Sequence, residues 1–232
     1  METEPRSFTK RFYALILIFL ALVITIGVIV WQRQNAPIKK PDYYELCENI
    51  STYPKTIHGK LVTLEKLSID HVYDTHAMFS DTVRFYLDFP LDIDISYTYR
   101  YLSGQILKQN NNLLIAYSIF DNKTDKLVGA INIREPNATD PGQLGMWLNE
   151  YYWGGGRIQE AIYMISRAYF SVRKNTNVYN AHVFIKNPRS YHSLKKFGFQ
   201  DVDRYYENGK ETRYIMEMYR DIIDKKTKDL QK

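Results

Sequence analysis

Three consecutive glycines followed by an arginine form the stretch of this sequence best suited to bind a ligand. They occupy positions 154–157, after an apolar run at 144–148 that predicts a strand. Apolar residues then recur through residue 172 with the spacing of a one-faced helix. The glycines therefore predict a turn into a helix N-terminus, where free N–H groups and the helix dipole favour an anion. A glycine-rich connection that binds nothing is the alternative.

Basic residues are concentrated around this turn. Residues 153–199 contain eight Lys or Arg and one acid, Glu160, so this segment carries +7. The rest of the chain carries −2, which gives the total of +5. An anionic ligand would explain the cluster, and a solvated basic face is the other explanation.

The elements that must position the turn follow from the hydrophobic pattern. Strands are predicted at 61–64, 113–120, 126–133, 144–148, 178–185, 205–206 and 213–219. Helices are predicted at 68–79, 92–107, 158–172 and 190–196, the first capped by Ser68. Turn residues predict hairpins at 121–125 and at Asn208-Gly209. The fold class is α/β (α+β mixed), with about seven strands and about four helices, and residues 221–232 predict a frayed charged tail.

A separate apolar segment precedes this globular pattern. Residues 12–31 contain no charge and span about 30 Å as a helix, which is the thickness of a bilayer core. Aromatic residues lie at both of its ends, and no signal-peptidase site follows it. We predict one transmembrane helix there, after an N-terminal tail at 1–11 and before a juxtamembrane linker at 32–58. Three basic residues flank each side, so charge does not assign the orientation.

Three motifs within the globular pattern resemble the GNAT superfamily of acyl-CoA-dependent N-acyltransferases, and in particular the branch of ribosomal-protein alanine N-acetyltransferases. The resemblance covers residues 59 to 219. The first motif is the strand at 142–148, and the second is W-G-x-G-x-x-x-E-A from Trp153 to Ala161. The third is N-x-x-S-x-x-x-L-x-K-x-G-F from Asn187 to Phe199. Together, in this order and spacing, they form a specific signal.

The resemblance implies a twisted, mostly antiparallel sheet flanked by helices, with acyl-CoA wedged where the fourth and fifth strands separate. N–H groups of the glycine turn would hold the pyrophosphate, and a strand N–H would stabilise the oxyanion. Asn187 and Ser190 would lie near the pantetheine arm and the sulfur. The residues expected to bind the cosubstrate acetyl-CoA are Leu148, Gly154, Gly155, Gly156, Arg157, Ile158, Asn187 and Ser190.

Three positions depart from the family pattern. Ile158 replaces the last small residue of the glycine signature, and its place on the apolar stripe favours packing on the sheet over crowding the phosphates. Gln143 stands where many relatives carry a glutamate base, and Leu194 stands where many carry a tyrosine acid. No acid or base is therefore inherited. The catalytic candidates nearby are Ser190, Tyr191 and His192, with Glu150 further away, and proton transfer through ordered water is the alternative.

The remaining residues indicate no second site. His71 and His76 lie on different faces of a helix, so no metal is predicted. His182 lies on a strand and is interpreted as a packed or edge histidine. Core and strand positions account for the twenty tyrosines, so no nucleic-acid partner is expected. The single cysteine, Cys47, excludes an internal disulfide and is compatible with a reducing compartment.

These features favour a membrane-anchored N-acetyltransferase that transfers an acetyl group from acetyl-CoA to a primary amine. By resemblance, a protein N-terminus is the leading acceptor, and small amines remain open. Because acetyl-CoA is held in the cytosol, the domain at 59–220 is expected on the cytoplasmic side. The alternative is a catalytically inactive acyl-CoA-binding or partner-binding module on the same anchor, and a purely structural tethered scaffold is a third interpretation.

Overall fold

The computed structural model describes residues 53–136 and 140–230. The transmembrane helix predicted at 12–31, the tail before it and most of the linker lie outside the described residues, and they stay predictions. Within the two described ranges, no helix is both long enough and apolar enough to cross a membrane.

The described chain folds into eight strands and six α-helices. The strands are β1 (Thr56–His58), β2 (Val62–Lys66), β3 (Leu114–Asp121), β4 (Lys126–Arg134), β5 (Gln143–Leu148), β6 (Val178–Phe184), β7 (Gln200–Glu207) and β8 (Lys210–Tyr219). The α-helices are α1 (Val72–Met78), α2 (Asp81–Leu87), α3 (Ile95–Asn110), α4 (Arg157–Val172), α5 (Pro188–Phe197) and α6 (Arg220–Leu230). Short 3-10 helices precede α1, at Ile69–His71, and follow β5, at Glu150–Tyr152.

The eight strands form one sheet in the order β1-β2-β3-β4-β5-β6-β8-β7. All neighbouring pairs are antiparallel except β5 and β6, which run parallel. β3 and β4 lie inside the sheet, and most of their side chains are buried on both faces. The parallel pair brings the C-terminal ends of β5 and β6, and the loops that follow them, to the same edge of the sheet.

Helices cover both faces of this sheet. On one face α4 packs its apolar stripe, including Ile162 and Ile165, against the main core. Two smaller cores under α1, α2 and α3 contain Val83, Leu102 and Trp147. Trp147 is adjacent in β5 to Leu148, which belongs to the α4 side, and successive strand residues point to opposite faces. The α4 face and the α2 face of the sheet are therefore distinct surfaces.

The structure confirms the longer predicted elements and corrects their number. The predicted counts of about seven strands and four helices are too low, because β1 and α2 are too short to show a period. Residues 220–230 form α6, so the frayed tail predicted there is wrong; Ile223 of this helix is buried. The predicted Asn208-Gly209 hairpin is confirmed, with φ of +52° and +73° at the two turn residues.

Candidate active site

A cavity opens where β5 and β6 separate. Of the described residues of β5, only Gln143 and Leu144 pair with β6, opposite Asn180 and Ala181. Beyond these pairs lies a cavity of about 480 Å³. Its walls come from α2 on one face of the sheet and from the start of α4 and α5 on the other. The cavity thus joins the two faces at the place where the resemblance expects acyl-CoA.

The free edge of β5 presents backbone groups to this cavity. Successive strand residues direct their N–H and C=O groups to alternate edges. The Asn149 N–H donates to the carbonyl of Val128 on the β4 side at 2.9 Å, so Leu148 and Met146 direct theirs to the β6 side. Consistently, the Leu148 carbonyl accepts a hydrogen bond from the indole Nε1 of Trp153 at 2.8 Å. The N–H groups of Met146 and Leu148 are therefore placed to meet an acyl carbonyl in the cavity.

The glycine turn adopts a backbone conformation that favours glycine. The φ angle is +82° at Gly154, +63° at Gly155 and +87° at Gly156. Gly156 caps α4, which begins at Arg157. Gly154 lines the cavity, and a Cβ added to it would meet no heavy atom within 4 Å. The open turn and the first N–H groups of α4 together form a corner suited to bind an anion.

The side chain of Arg157 lies beside the turn, where its Nη1 is 2.9 Å from the position that a Cβ of Gly155 would occupy, and it also forms an ion pair with a residue of β3. Its Nε donates to the carboxylate of Asp121 at 2.6 Å, and Asp121 is buried at the end of β3. Burial tends to raise the pKa of Asp121, but hydrogen bonds from Arg157 and Thr124 hold that pKa below its ordinary value. The positive charge expected at the anion is therefore paired with Asp121 at the border of the glycine turn.

Glu160 of the same motif also has a structural partner. Its carboxylate accepts the backbone N–H groups of Lys60, Leu61 and Val62 at 2.8, 2.6 and 2.8 Å. Lys60 and Leu61 lie in the turn between β1 and β2, and Val62 begins β2. Glu160 therefore fixes α4 to the sheet edge, and it holds the helix N-terminus in position beside the cavity.

The helix after β6 supplies the second wall of the cavity. Asn187 caps α5, and its Oδ1 accepts the N–H of Ser190 at 3.1 Å. The Arg189 guanidinium lies 4.3 Å from the ring centroid of Trp153, which connects α5 to the loop after β5. Six of the residues predicted from sequence line the cavity: Leu148, Gly154, Ile158, Asn187, Ser190 and His192. The adjoining turn contains Gly155 and Gly156, and Arg157 begins α4.

Tyr191 is not among the residues that line the cavity. Its hydroxyl donates to Oδ2 of Asp201 at 2.7 Å, and its ring packs against Tyr214 with a centroid distance of 4.5 Å. The hydrogen bond to Asp201 raises the pKa of Tyr191, which makes its hydroxyl a weaker acid. Of the three catalytic candidates, the structure brings Ser190 and His192 to the cavity, and the role of Tyr191 stays a prediction.

Two of the three positions that depart from the family pattern are occupied by packing residues. Ile158 packs against the core while lining the cavity, and Leu194 is fully buried. The Glu150 carboxylate accepts a hydrogen bond from the hydroxyl of Ser80, which caps α2. No carboxylate lines the cavity among the residues that the structure describes. Nor do those residues contain a group of three or more His, Cys, Asp or Glu placed to hold a metal ion.

His182 is one of the cavity residues that the sequence did not assign to the site. The strand pattern predicts a packed or edge histidine, and the structure places His182 half-buried in the cavity wall. The signal available in the sequence is a single ionisable residue in the mainly apolar second half of β6. A histidine in such a run is also found in ordinary strands, so the pattern alone does not assign it to a site.

The family of the chain follows from its sequence. Residues 62–200 match the Acetyltransferase (GNAT) domain, which is more than half of the chain. The chain therefore belongs to the GNAT acetyltransferase family. It is an acetyltransferase, and its cosubstrate is acetyl-CoA. No curated relative matches the sequence.

Solved structures show the same fold at low identity. RimL, a ribosomal L7/L12 alpha-N-protein acetyltransferase, is 17% identical with a TM-score of 0.61, over 71% of this chain and 93% of that one. A Salmonella typhimurium acetyltransferase that modifies the N-terminal serine of L7/L12 is 16% identical with a TM-score of 0.59, over 69% and 96%. The microcin C7 self-immunity acetyltransferase MccE, in complex with acetyl-CoA and AMP, is 14% identical with a TM-score of 0.61, over 74% and 99%.

Proposed function

We propose that this chain is a membrane-anchored N-acetyltransferase that acetylates the free α-amine of protein N-termini, with small primary amines as the second class of acceptor. The observation that carries the proposal is the cavity between β5 and β6, which opens to both faces of the sheet. Acetyl-CoA can enter it from the α4 face, and an amine can approach the same point from the α2 face.

Two parts of the cavity would bind different parts of acetyl-CoA: the anion-binding corner at the start of α4 and the free edge of β5. The N–H groups from Gly154 to Ile158 would hold the diphosphate at the wide end of the cavity. The acyl arm then extends along β5 towards the narrow end, where Leu144 and Ala181 still pair. The N–H of Met146 or Leu148 would stabilise the negative charge that develops on the acyl oxygen. Asn187 and Ser190 face the arm from α5.

The chemistry of the cavity favours an α-amine as acceptor. Only a neutral amine attacks a thioester, and an α-amine with a pKa near 8 is far more often neutral at pH 7 than a lysine amine near 10.4. A weak base is therefore sufficient to deprotonate an α-amine. This agrees with the cavity, because no carboxylate lines it among the described residues. Two solved structures of this fold are acetyltransferases of a ribosomal protein N-terminus, which supports the same class of acceptor.

The acceptor can be identified directly with the full-length chain in detergent. The protein is incubated with acetyl-CoA and a panel that contains peptides with N-terminal serine or alanine, spermidine and glucosamine. Thiol release measures the rate, and mass spectrometry locates the acetyl group. We expect the peptide α-amines to react fastest and internal lysines not to react. Faster reaction of spermidine or glucosamine would show that small primary amines are the preferred acceptors. Binding without thiol release on any amine would identify the inactive module and refute the proposal.

We further propose that the domain faces the cytosol, because acetyl-CoA is available there. Cys47 is the only cysteine and follows the predicted transmembrane segment, so it reports the side on which the domain lies. A membrane-impermeant maleimide applied to intact cells is expected to leave Cys47 unlabelled and to label it after detergent lysis. Labelling of intact cells would place the domain outside and would contradict the proposed source of acetyl-CoA.

A further inference from the structure

His182 is the first residue of β6 beyond its last pair with β5. Its neighbours Ala181 and Val183 are buried in the core beneath α4. Because side chains alternate along a strand, His182 lies on the other face of the sheet, where Val83 of α2 lines the same cavity. The imidazole is therefore at the narrow end of the cavity and on its α2 face.

This is the face from which the amine would approach. The anion-binding corner belongs to α4, so acetyl-CoA occupies the α4 side and its acyl group reaches the narrow end of the cavity. An amine that attacks the acyl carbonyl must then come from the α2 face. The side chain of His182 therefore lies where the amine, approaching from the α2 face, would meet the acyl group of acetyl-CoA.

The surroundings of His182 keep its imidazole neutral. Burial lowers its pKa, Asp140 opposes this shift, and Arg213 and Arg134 add to it, so the pKa of His182 lies below its ordinary value. The ring of Tyr205 stacks on the imidazole at a centroid distance of 6.3 Å and an interplanar angle of 30°. A neutral ring held in one orientation has a lone pair available for a proton at pH 7.

Few other groups in the cavity can accept a proton. Among the described residues that line it, the imidazoles are those of His182 and His192, and there is no carboxylate. His192 is exposed on α5, which packs into the core on the α4 side of the sheet. His192 is thus on the acetyl-CoA side, and His182 is the imidazole on the amine side.

We infer that His182 is the general base of acetyl transfer, an inference that rests on the proposed reaction with an amine. The amine nitrogen forms a bond to the acyl carbon, and the thioester carbonyl becomes an oxyanion. His182 takes the proton from the attacking nitrogen. The oxyanion then collapses, the C–S bond breaks, and coenzyme A leaves as a thiolate. The imidazolium returns its proton through solvent to the thiolate, so the products are the acetamide and the free thiol.

The test is the pH dependence of kcat for His182→Gln in the full-length chain, with a peptide that begins with serine as the acceptor. At a saturating amine concentration, kcat of the unmodified enzyme is expected to rise as the pH increases through the pKa of His182 and then to level off. His182→Gln should lower kcat about 100-fold, a typical general-base effect, and remove this rise. The Kd for acetyl-CoA should not change. Imidazole added to His182→Ala should restore part of the rate.

Two further variants make the test decisive. His58→Gln repeats the change on exposed β1 and is expected to leave kcat and its pH profile unchanged. His192→Gln tests the rival imidazole and should reduce kcat less than His182→Gln does. If His182→Gln keeps its rate and its pH profile, or if His192→Gln has the larger effect, the inference is refuted. If the unmodified enzyme acetylates no amine, the proposed function fails instead.

Discussion

Gly154→Val is expected to weaken acetyl-CoA binding at least about 100-fold, which corresponds to roughly 2.8 kcal/mol. Gly154 has a φ of +82°, and no heavy atom lies within 4 Å of the position that its Cβ would occupy. A valine side chain would therefore fit the folded protein but fill the space in which the diphosphate approaches the backbone. Isothermal titration of the full-length chain with acetyl-CoA measures the effect.

Gly209→Val is the matched control for this experiment. Gly209 has a φ of +73° in the β7–β8 hairpin and likewise has open space around its Cβ position. Both substitutions impose a backbone strain of about 1–2 kcal/mol, so both should lower the melting temperature by similar amounts. Only Gly154→Val should lose acetyl-CoA. Normal binding by Gly154→Val would show that the diphosphate lies elsewhere.

The glycine turn and its helix could be predicted from sequence because the signals are local. The apolar stripe of α4 repeats over sixteen residues, from Arg157 to Val172, and the three glycines directly precede it. The Asn208-Gly209 turn is equally local, since its two residues determine the backbone geometry themselves. Such features need no information about which distant segments meet. The resemblance to the GNAT superfamily rests on the same stretches.

The partners of individual side chains in the site could not be predicted, because they are distant in sequence. Arg157 pairs with Asp121, 36 residues earlier, and Glu160 accepts N–H groups from Lys60, 100 residues earlier. From sequence alone, a charged residue beside a glycine turn is therefore predicted to contact a ligand. Only the fold shows that its partner is another side chain or backbone group of the protein. His182 shows the opposite case: its position in the cavity follows from where β5 and β6 separate, and that point has no signature in the sequence.

A buried ionic cluster lies where the last residues before β1 meet the sheet. Nη2 of Arg173, at the end of α4, is 2.8 Å from Oε2 of Glu135, which follows β4, and both side chains are almost fully buried. Tyr53 is also buried, and its hydroxyl has no hydrogen-bond partner among the described residues. Burial raises the pKa of Glu135 to about 7, although Arg173 acts to lower it. The cluster therefore depends on the guanidinium to keep a charged carboxylate in the interior.

Arg173→Met is expected to lower the free energy of unfolding by about 3–5 kcal/mol, because it leaves the Glu135 carboxyl buried without its cation. The loss should be larger at pH 8 than at pH 5.5. In the folded state the pKa of Glu135 already exceeds that of the unfolded chain, so stability falls as the pH rises towards 7. Removal of the cation raises this pKa further, and the fall then continues above pH 7. Denaturant unfolding of the full-length chain measures both quantities.

The double variant Glu135→Leu/Arg173→Met separates the cost of an unpaired charge from the loss of packing. If the unpaired carboxyl causes the instability, the double variant should recover most of the lost free energy and lose the difference between pH 8 and pH 5.5, because apolar side chains of similar volume replace a buried ion pair at little cost. A double variant as unstable as Arg173→Met, with the same pH dependence, would contradict this account. Arg173 would then stabilise the fold through the packing of its buried side chain at the end of α4 instead of through its charge.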